Sequence, residues 1–542
     1  MIPSMDEICA RSSAPCDPPA SSADGNANAD LSIMKTYRAI IRSVLANWIG
    51  RLCWVIVAFC ITPIVVGGLG GELYGIWSIV MALTSYYALA DLGLRGAGVR
   101  CIARFHAVND DTAVNKVVVT SLGLYFVLSV LVFAIGLVTA WRFPYFFSIS
   151  EASVSTCRIV LVIASLTVSA RLCTQIFGSA LSALNRFDIS NTINIIVQLL
   201  QAVGIFLVFR LGWGMVGLSL VNFMGTAISQ LIQVAIVLRL LPHLSLSFRY
   251  FDRATLKTQM QFGGANFLSN LARRLTQYVG SLLVGYFSGP LAVAFYAIPE
   301  TLIRSAEAVG MGVSSVVQPY ASQLYAQKQI DTLRGLLITV PRVLAAISLT
   351  FAALAYALGT PFISLWVGEN YAQNCRPMLL VLSAAMVLNL SGNPLTEMLY
   401  SMGRLKVLMH VAILSMAMTL ILGCAFASGF GPTGMAWAVL TTQFVTSVVI
   451  LPYATCRELE YRLVEYFVRV YLPPSLAILP ALGLALAFAQ YAPVTTLWAL
   501  VIQIAIVCML ATICIILICF GPTARRQLLR AFAPRKLQRE EL

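Results

Sequence analysis

The chain has 542 residues, of which 59% are hydrophobic and only 11% are charged. This composition excludes an ordinary soluble globular protein and predicts a protein with many membrane-spanning helices. The formal net charge of +14 would also suit a nucleic-acid-binding protein, so the positions of the charges along the chain must decide between the two.

Thirteen cysteines and three histidines are spread along the chain. No two cysteines form a Cys-x-x-Cys pair, and several lie in apolar runs, where a thiol is usually a small packing residue. The histidines, His106, His243 and His410, are too few and too far apart for a metal cluster. We therefore expect neither a metal nor a cofactor.

A polar tail begins the chain. Residues 1–33 are rich in Ser, Ala, Asp, Asn and Pro, and we expect them to be disordered because they have no apolar core. The same lack of an apolar stretch argues against a signal peptide.

After this tail, apolar runs of about 20 residues, the length that crosses a bilayer, recur to Phe520. They predict an all-α integral membrane protein with about fourteen transmembrane helices, at residues 44–67, 74–93, 117–138, 156–182, 191–209, 214–236, 262–284, 291–314, 337–358, 377–400, 406–426, 432–452, 468–489 and 496–520.

The basic residues between these helices alternate sharply from one loop to the next. On one side the loops and terminal segments between Lys35 and Arg539 carry 26 Lys and Arg, whereas the other side carries only Arg142, Arg210 and Arg376. Loops rich in Lys and Arg stay in the cytoplasm, so both termini are predicted to be cytoplasmic. The positive charge therefore reflects membrane topology, and we expect no nucleic-acid partner.

The chain also resembles itself at an almost constant offset of 217 to 219 residues. Gly70 aligns with Gly289 at 219, and Gly214 aligns with Gly431 at 217. Other matching segments are Asn47-Trp48 with Asn266-Phe267 and residues 184–187 with 402–405. Six helices duplicated as six enter the membrane from the same side, which predicts two parallel six-helix repeats with a substrate site between them.

This repeat predicts the domain organisation. The parts are a disordered cytoplasmic tail (1–33), an N-terminal six-helix half (34–238), a cytoplasmic linker (239–258), a C-terminal six-helix half (259–453), two appended helices (454–520) and a basic cytoplasmic tail (521–542).

Several predicted helices contain arginine, which costs roughly 2.5–3.5 kcal/mol at a bilayer centre and is therefore expected to face a polar interior. The seventh helix carries a continuous polar stripe at helical spacing, and amide side chains mark the fifth, sixth and tenth helices. Guanidinium groups suit phosphate, and amides suit sugars. The predicted substrate-binding residues are Asn47, Arg51, Asn270, Arg273, Arg274, Gln277 and Arg304.

Alternatives remain open for some of these charges. Arg304 can be neutralised by Glu300 or Glu307 on its own helix, and Arg51 can reach the head-group region instead of the cavity. Arg158 is better explained as a structural anchor, and Arg171 stays undecided.

Residues 69–104 combine a turn, an apolar run and a basic segment. They contain LG-x-E-x-YG-x-W, then Asp91-Leu-Gly-Leu94, then Arg95, Arg100 and Arg104. This stretch resembles the second helix of Wzx-type polysaccharide flippases, which belong to the multidrug/oligosaccharidyl-lipid/polysaccharide (MOP) exporter superfamily. The resemblance covers about residues 36–520. It implies alternating access around a cationic cavity, with Arg51, Arg273 and Arg274 as the best matches by position.

The resemblance also implies a substrate and partners. The substrate would be an undecaprenyl-pyrophosphate-linked oligosaccharide, moved across the bacterial inner membrane for O-antigen, exopolysaccharide or capsule synthesis. Membrane lipid, a polysaccharide polymerase and chain-length proteins would be its partners. If transport is coupled to an ion gradient, the candidates are Glu300, Glu307 and Glu397.

Three other functions compete with this interpretation. A drug or cation antiporter of the same fold should carry an acid on the first helix, which has Arg51 instead. A lipid II flippase would also have fourteen helices and a basic cavity. A membrane glycosyltransferase or polymerase would need a long loop with acid/base or metal-binding residues, and no predicted loop is long enough. We therefore do not expect an enzyme.

Overall fold

A computed structural model describes the backbone of residues 23–520 except 148, 315 and 316; the side chains of 23–49, 51, 52, 54 and 261–270 are also outside the described part. The described residues are almost entirely helical and contain no strand. They form α1 (Ala23–Tyr87), α2 (Leu94–Ala107), α3 (Asp111–Phe146), α4 (Glu151–Cys173), α5 (Gln175–Ala183), α6 (Phe187–Arg210), α7 (Gly214–Leu240), α8 (Arg253–Ser288), α9 (Pro290–Ser314), α10 (Val317–Ala326), α11 (Ile330–Val367), α12 (Glu369–Ser401), α13 (Leu405–Gln443), α14 (Leu451–Glu458), α15 (Leu463–Tyr491) and α16 (Leu497–Cys519).

The predicted number of membrane helices agrees with these elements. Ten stretches of the described chain are long and apolar enough to cross a membrane. Two of them are interrupted by a glycine with a non-helical backbone, so each contains two crossings: α1 is interrupted at Gly70, and the stretch Leu405–Glu458, in which the π-helical Phe444–Ile450 joins α13 to α14, is interrupted at Gly431. α8 and α9 are also long enough to cross. The total is fourteen, which confirms the all-α integral membrane fold.

Two details differ from the sequence-based expectations. α1 begins at Ala23, so residues 23–33 of the predicted tail are helical; extending an existing helix avoids the cost of nucleating a new one. The fourth predicted helix is divided at Thr174 into α4 and the short α5.

The backbone confirms the internal repeat. Gly70 has φ 76° and ψ 170°, and Gly289, 219 residues later, has φ 79° and ψ 172°. This region of backbone space is essentially restricted to glycine. Further pairs of residues with positive φ have almost the same separation: Asn109 with Lys328, Asn185 with Gly403, and Gly214 with Gly431. The two halves therefore turn at equivalent places.

Successive membrane helices alternate in direction, so their ends lie on two faces. We name these the Gly70 face and the Asp91 face, after the residues at the two ends of the second membrane crossing, which is the last part of α1.

At the Gly70 face the two halves share one apolar core. Its buried residues include Tyr74 and Ile76 of α1, Leu302 of α9 and Trp366 of α11. The backbones of α1 and α9 approach so closely that a Cβ on Gly75 would collide with the carbonyl of Pro290.

At the Asp91 face the apolar cores are separate. One cluster, around Ile102, Tyr125 and Ile176, belongs to the N-terminal half. Another, around Leu333 and Leu399, belongs to the C-terminal half. The halves are thus packed together at the Gly70 face and have independent cores at the Asp91 face, which leaves the space between them to be lined by polar groups.

Candidate functional site

Three adjoining cavities of 420, 360 and 360 Å³ lie among the helices of the N-terminal half; the first two also border α8, and the first borders α9 as well. Asn222 and Tyr278 line the first and the second cavity, whereas Arg95, Arg171 and Thr226 line the second and the third. Because they share these walls, we treat the three cavities as one and call it the central cleft.

Arginines from three helices converge where the cleft approaches the Asp91 face. Arg95 of α2, Arg171 of α4 and Arg274 of α8 line the same cavity. Arg274 Nη1 donates a hydrogen bond to the carbonyl of Ser85 at 3.3 Å. Within the described part of the chain, no hydrogen bond or ion pair is found for the guanidinium groups of Arg95 and Arg171. We call this part of the cleft the arginine end.

One carboxylate, Asp91, also lines the arginine end. Its Oδ1 accepts a hydrogen bond of 2.6 Å from the hydroxyl of Tyr125, a residue buried in α3. Three arginines therefore face one acid, and that acid is already engaged by a tyrosine. The arginine end has an excess of positive charge and can bind an anion.

Local backbone structure places these arginines. α1 ends in a 3₁₀ turn, Ala88–Asp91, followed by Leu92 and Gly93, which both have positive φ. This tight turn starts α2 at Leu94 and puts Arg95 in its first turn, where the helix borders the cleft. Arg171 lies in the last turn of α4, just before the break at Thr174.

Amide and aromatic side chains line the rest of the cleft. Gln198 and Gln201 come from α6 and Asn222 from α7, with Trp77 and Tyr278 nearby. A Cβ on Gly225 would overlap the side chain of Gln201, so this glycine leaves the room that the amide occupies. Other amides that line the cleft are Gln175, Asn194, Gln230 and Gln233.

The cleft extends past these amides to a charged pair on α9. Arg304 Nη2 donates to Glu300 Oε1 at 2.9 Å and to the carbonyl of Gln277 at 2.6 Å. Its guanidinium also lies 4.6 Å from the ring centre of Tyr278. Arg304 is therefore paired with Glu300, as their spacing on α9 allows, and its charge is neutralised in this conformation.

The other predicted residues lie in several places. Arg274 is in the arginine end, whereas Arg273 and Gln277 are exposed and are not among the described residues that line the cleft. Glu307 is on the face of α9 that meets α12, where its Oε1 accepts a hydrogen bond of 2.7 Å from Asn389 Nδ2. Glu397 is half-buried on α12. The side chains of three further predicted residues, Asn47, Arg51 and Asn270, lie outside the described part.

Sequence reasoning did not select Arg95 and left Arg171 undecided. Because Arg95 directly follows a predicted helix, its position in the sequence predicts a basic loop residue. The signal that could have identified it is the Gly93 turn, which requires the chain to reverse immediately beside the cavity. Within the described part of the chain, no three or more His, Cys, Asp or Glu side chains form a cluster that could hold a metal.

Comparison with known families is consistent with this architecture. Residues 40–325, more than half of the chain, match the family described as polysaccharide biosynthesis protein. Residues 266–426 match the MatE family.

Two curated proteins are similar over most of the chain. One is a putative O-antigen transporter from Shigella flexneri, 23% identical over 419 residues, covering 74% of this chain and 94% of that protein. The other is the uncharacterized membrane protein EpsK from Bacillus subtilis (strain 168), 20% identical over 434 residues, covering 77% and 83%.

Solved structures share the fold. An inward-facing multidrug resistance MATE family transporter of the MOP superfamily has a TM-score of 0.67 at 17% identity, covering 78% of this chain and 99% of that chain. The lipid II flippase MurJ in an inward closed conformation also has a TM-score of 0.67, at 14% identity, covering 88% and 98%. These relatives and structural neighbours are transporters and flippases rather than enzymes, apart from the uncharacterized EpsK. The chain therefore belongs to the polysaccharide biosynthesis protein family, as a multi-pass membrane protein with the fold of the solved MOP superfamily transporters.

Proposed function

We propose that the protein is a flippase that moves a polyprenyl-diphosphate-linked oligosaccharide, of the undecaprenyl-pyrophosphate type, across the bacterial inner membrane for surface polysaccharide synthesis. The observation that carries this proposal is the arginine end, where Arg95, Arg171 and Arg274 face one engaged carboxylate in a cleft lined by amides. A polysaccharide polymerase and chain-length proteins are the partners that this function implies.

The chemistry of the cleft matches the two polar parts of such a substrate. A diphosphate carries several anionic oxygens, and guanidinium groups bind phosphate through paired, charge-assisted hydrogen bonds. Sugar hydroxyls both donate and accept, as do the side-chain amides of Gln198, Gln201 and Asn222. A cationic drug would be repelled by the arginine end, so the cleft does not favour a cation antiporter.

The proposed orientation in the membrane rests on the basic residues. Loops on the Asp91 face carry most of the Lys and Arg, so this face and both termini are assigned to the cytoplasm. The substrate would enter the cleft from the cytoplasmic leaflet while the halves are packed together at the Gly70 face. Rocking of the two repeats, residues 34–238 and 259–453, would then open the cleft to the other side. Glu300, Glu307 and Glu397 remain the candidates for coupling this motion to an ion gradient.

Transport by purified protein tests the proposal. Proteoliposomes would carry a fluorescent polyprenyl-diphosphate oligosaccharide in both leaflets, and its exposure to an external glycosidase would be followed. Each guanidinium hydrogen bond to an anion contributes about 1.5–3 kcal/mol, so Arg171→Gln/Arg274→Gln should slow exposure by about 100-fold.

The matched control is Arg210→Gln, which removes an exposed arginine outside the cleft and should transport at the wild-type rate. Equal melting temperatures would establish that the double variant is folded. Wild-type rates in a folded double variant would contradict the assigned site, and the absence of any protein-dependent exposure would contradict the flippase.

A further inference from the structure

A second cavity lies outside the central cleft, in the half of the membrane nearest the Gly70 face. It has a volume of 670 Å³ and lies between α1, α3 and α8. Its walls are apolar and rich in aromatic rings, among them Val138, Phe143, Phe146, Leu282 and Tyr286. Val138 and Tyr286 are 61% and 59% exposed, so the cavity opens toward the lipid. We call it the outer groove.

The outer groove and the central cleft share a wall. On α1, Ala82 lines the cleft and the next residue, Leu83, lines the groove. On α8, Ser281 lines the cleft and Leu282 lines the groove. The barrier between the two spaces is therefore the contact between α1 of the N-terminal half and α8 of the C-terminal half.

This contact is close, and the two hydrogen bonds described across it are both long, one of them the 3.3 Å bond from Arg274 Nη1 to the carbonyl of Ser85. The hydroxyl of Tyr86 donates to the carbonyl of Leu275 at 3.4 Å, a long hydrogen bond. Gly285 of α8 packs against Ile79 of α1 without a side chain of its own. Because the two helices belong to different halves, any motion of one half against the other changes this wall directly.

The side chain of Arg142 places a positive charge at the mouth of the groove. Arg142 lines the groove one turn before α3 ends at the Gly70 face. Its guanidinium lies 4.7 Å from the ring centre of Trp141. Among the described residues, no carboxylate forms an ion pair with Arg142 and no acceptor forms a hydrogen bond with it. The groove thus has an apolar body within the membrane and a positive charge at its surface end.

We infer that the outer groove binds the polyprenyl chain of the lipid-linked substrate, with the diphosphate at Arg142, and that the contact between α1 and α8 is the lateral exit from the cleft. This inference rests on the proposed function. The aromatic walls of the groove suit an unsaturated, methyl-branched polyprenyl chain, and the guanidinium of Arg142 suits the anionic diphosphate. The shared wall separates the cleft, which holds the head group before exit, from the groove, which holds the chain and, at Arg142, the diphosphate after exit.

Photocrosslinking tests this site without requiring transport. The full chain, with benzoylphenylalanine in place of Tyr286, would be reconstituted in phosphatidylethanolamine/phosphatidylglycerol vesicles that contain tritiated polyprenyl diphosphate. We expect the irradiated protein to be labelled. Filling the groove with Val138→Trp should lower the yield by about tenfold. Val127→Trp is the matched control, because Val127 is on the same helix, is 62% exposed and does not line the groove.

A second variant tests the proposed contact between the diphosphate head group and Arg142. Arg142→Gln should lower labelling by tritiated polyprenyl diphosphate about tenfold, while labelling by uncharged tritiated polyprenol should stay at the wild-type yield. Equal labelling by tritiated phosphatidylglycerol would show that the groove holds ordinary membrane lipid and would overturn the inference. A labelling yield that is not reduced by Val138→Trp would overturn the inference as well.

The photocrosslinking test of the groove and the transport test of the proposed function can succeed or fail independently. Arg171→Gln/Arg274→Gln should be labelled at the wild-type yield although its transport is slow. Transport without labelling would refute the groove alone. Labelling without transport by any form of the protein would refute the flippase and leave a polyprenyl diphosphate site.

Discussion

Prolines inside the membrane helices free backbone carbonyls that distant side chains then use. Pro63 has no N–H for the carbonyl of Phe59, and Trp366 Nε1 donates to that carbonyl at 3.0 Å. Pro473 likewise frees the carbonyl of Arg469, which accepts a hydrogen bond of 2.7 Å from Arg342 Nε. Each of these contacts joins helices that are far apart in sequence, so a local break in hydrogen bonding becomes a tertiary contact.

The carboxylate of Asp252 caps the N-terminus of α8 and should make the stability of the protein depend on pH. Thr255 donates to Asp252 Oδ2 from its backbone N–H at 2.8 Å and from its hydroxyl at 2.6 Å. These hydrogen bonds lower the pKa of Asp252 below its ordinary value of 3.8. A lowered pKa means that the folded state favours the carboxylate. Its contribution to stability is therefore complete above the ordinary pKa and is lost as pH falls through the lower pKa of the folded state.

We expect Asp252→Ala to melt at a lower temperature than the wild type at pH 7, because α8 loses its N-terminal cap. The difference should shrink as the pH is lowered past 4. Melting curves of both proteins in detergent between pH 3 and pH 7 would measure it. Thr258→Ala, a few residues further along α8 and exposed, is the control. A difference that stays constant down to pH 3 would contradict the role assigned to the carboxylate.

Helix ends in this fold depend on glycine at equivalent positions of the two halves. Gly70 and Gly289 each separate two membrane crossings with a backbone conformation that other residues avoid. A Cβ on Gly70 would meet no atom within 4 Å, so any cost of a side chain there comes from the backbone alone.

Gly70→Ala should therefore lower the free energy of unfolding by about 1–3 kcal/mol. Gly67→Ala is a matched control, since a Cβ there also meets nothing within 4 Å and the residue is helical. Alanine at position 67 should be neutral or slightly stabilising. The measurement is thermal unfolding in detergent, and equal behaviour of the two variants would show that the turn tolerates a side chain.

Within the apolar core that the two halves share, an aromatic contact joins them at the Gly70 face. Phe59 of α1 stacks on Trp366 of α11 with ring centres 5.1 Å apart, and Phe362 lies against both. With the hydrogen bond from Trp366 to the carbonyl of Phe59, this contact joins the N-terminal half to the C-terminal half.

Trp366→Phe keeps an aromatic ring but leaves the Phe59 carbonyl unpaired, which costs about 1–3 kcal/mol. We expect the Gly70 face to open more often. The buried Cys375, which belongs to the same core, would then react about tenfold faster with a maleimide in a variant that retains only this cysteine. Trp437→Phe, at a half-exposed tryptophan, should leave the rate unchanged. An unchanged rate in Trp366→Phe would show that other contacts hold the face closed.

Much of the architecture could be read from the chain because it depends on order along the sequence. The length of the apolar runs predicts fourteen crossings, and the offset between Gly70 and Gly289 predicts the repeat; both agree with the structure. Bilayer thickness sets the number of crossings, and the repeat appears as a constant offset along the chain, so neither depends on how the helices are rotated.

The candidate site could be predicted only in part, because it depends on helix rotation and on which helices meet. Arg95, Arg171 and Arg274 belong to three separate helices and come together only after packing. The spacing on α9 left two partners for Arg304, and the structure pairs it with Glu300 while Glu307 contacts Asn389 on another helix. A helical pattern shows which residues share a face, but the neighbouring helix determines whether that face meets lipid, protein or a cavity.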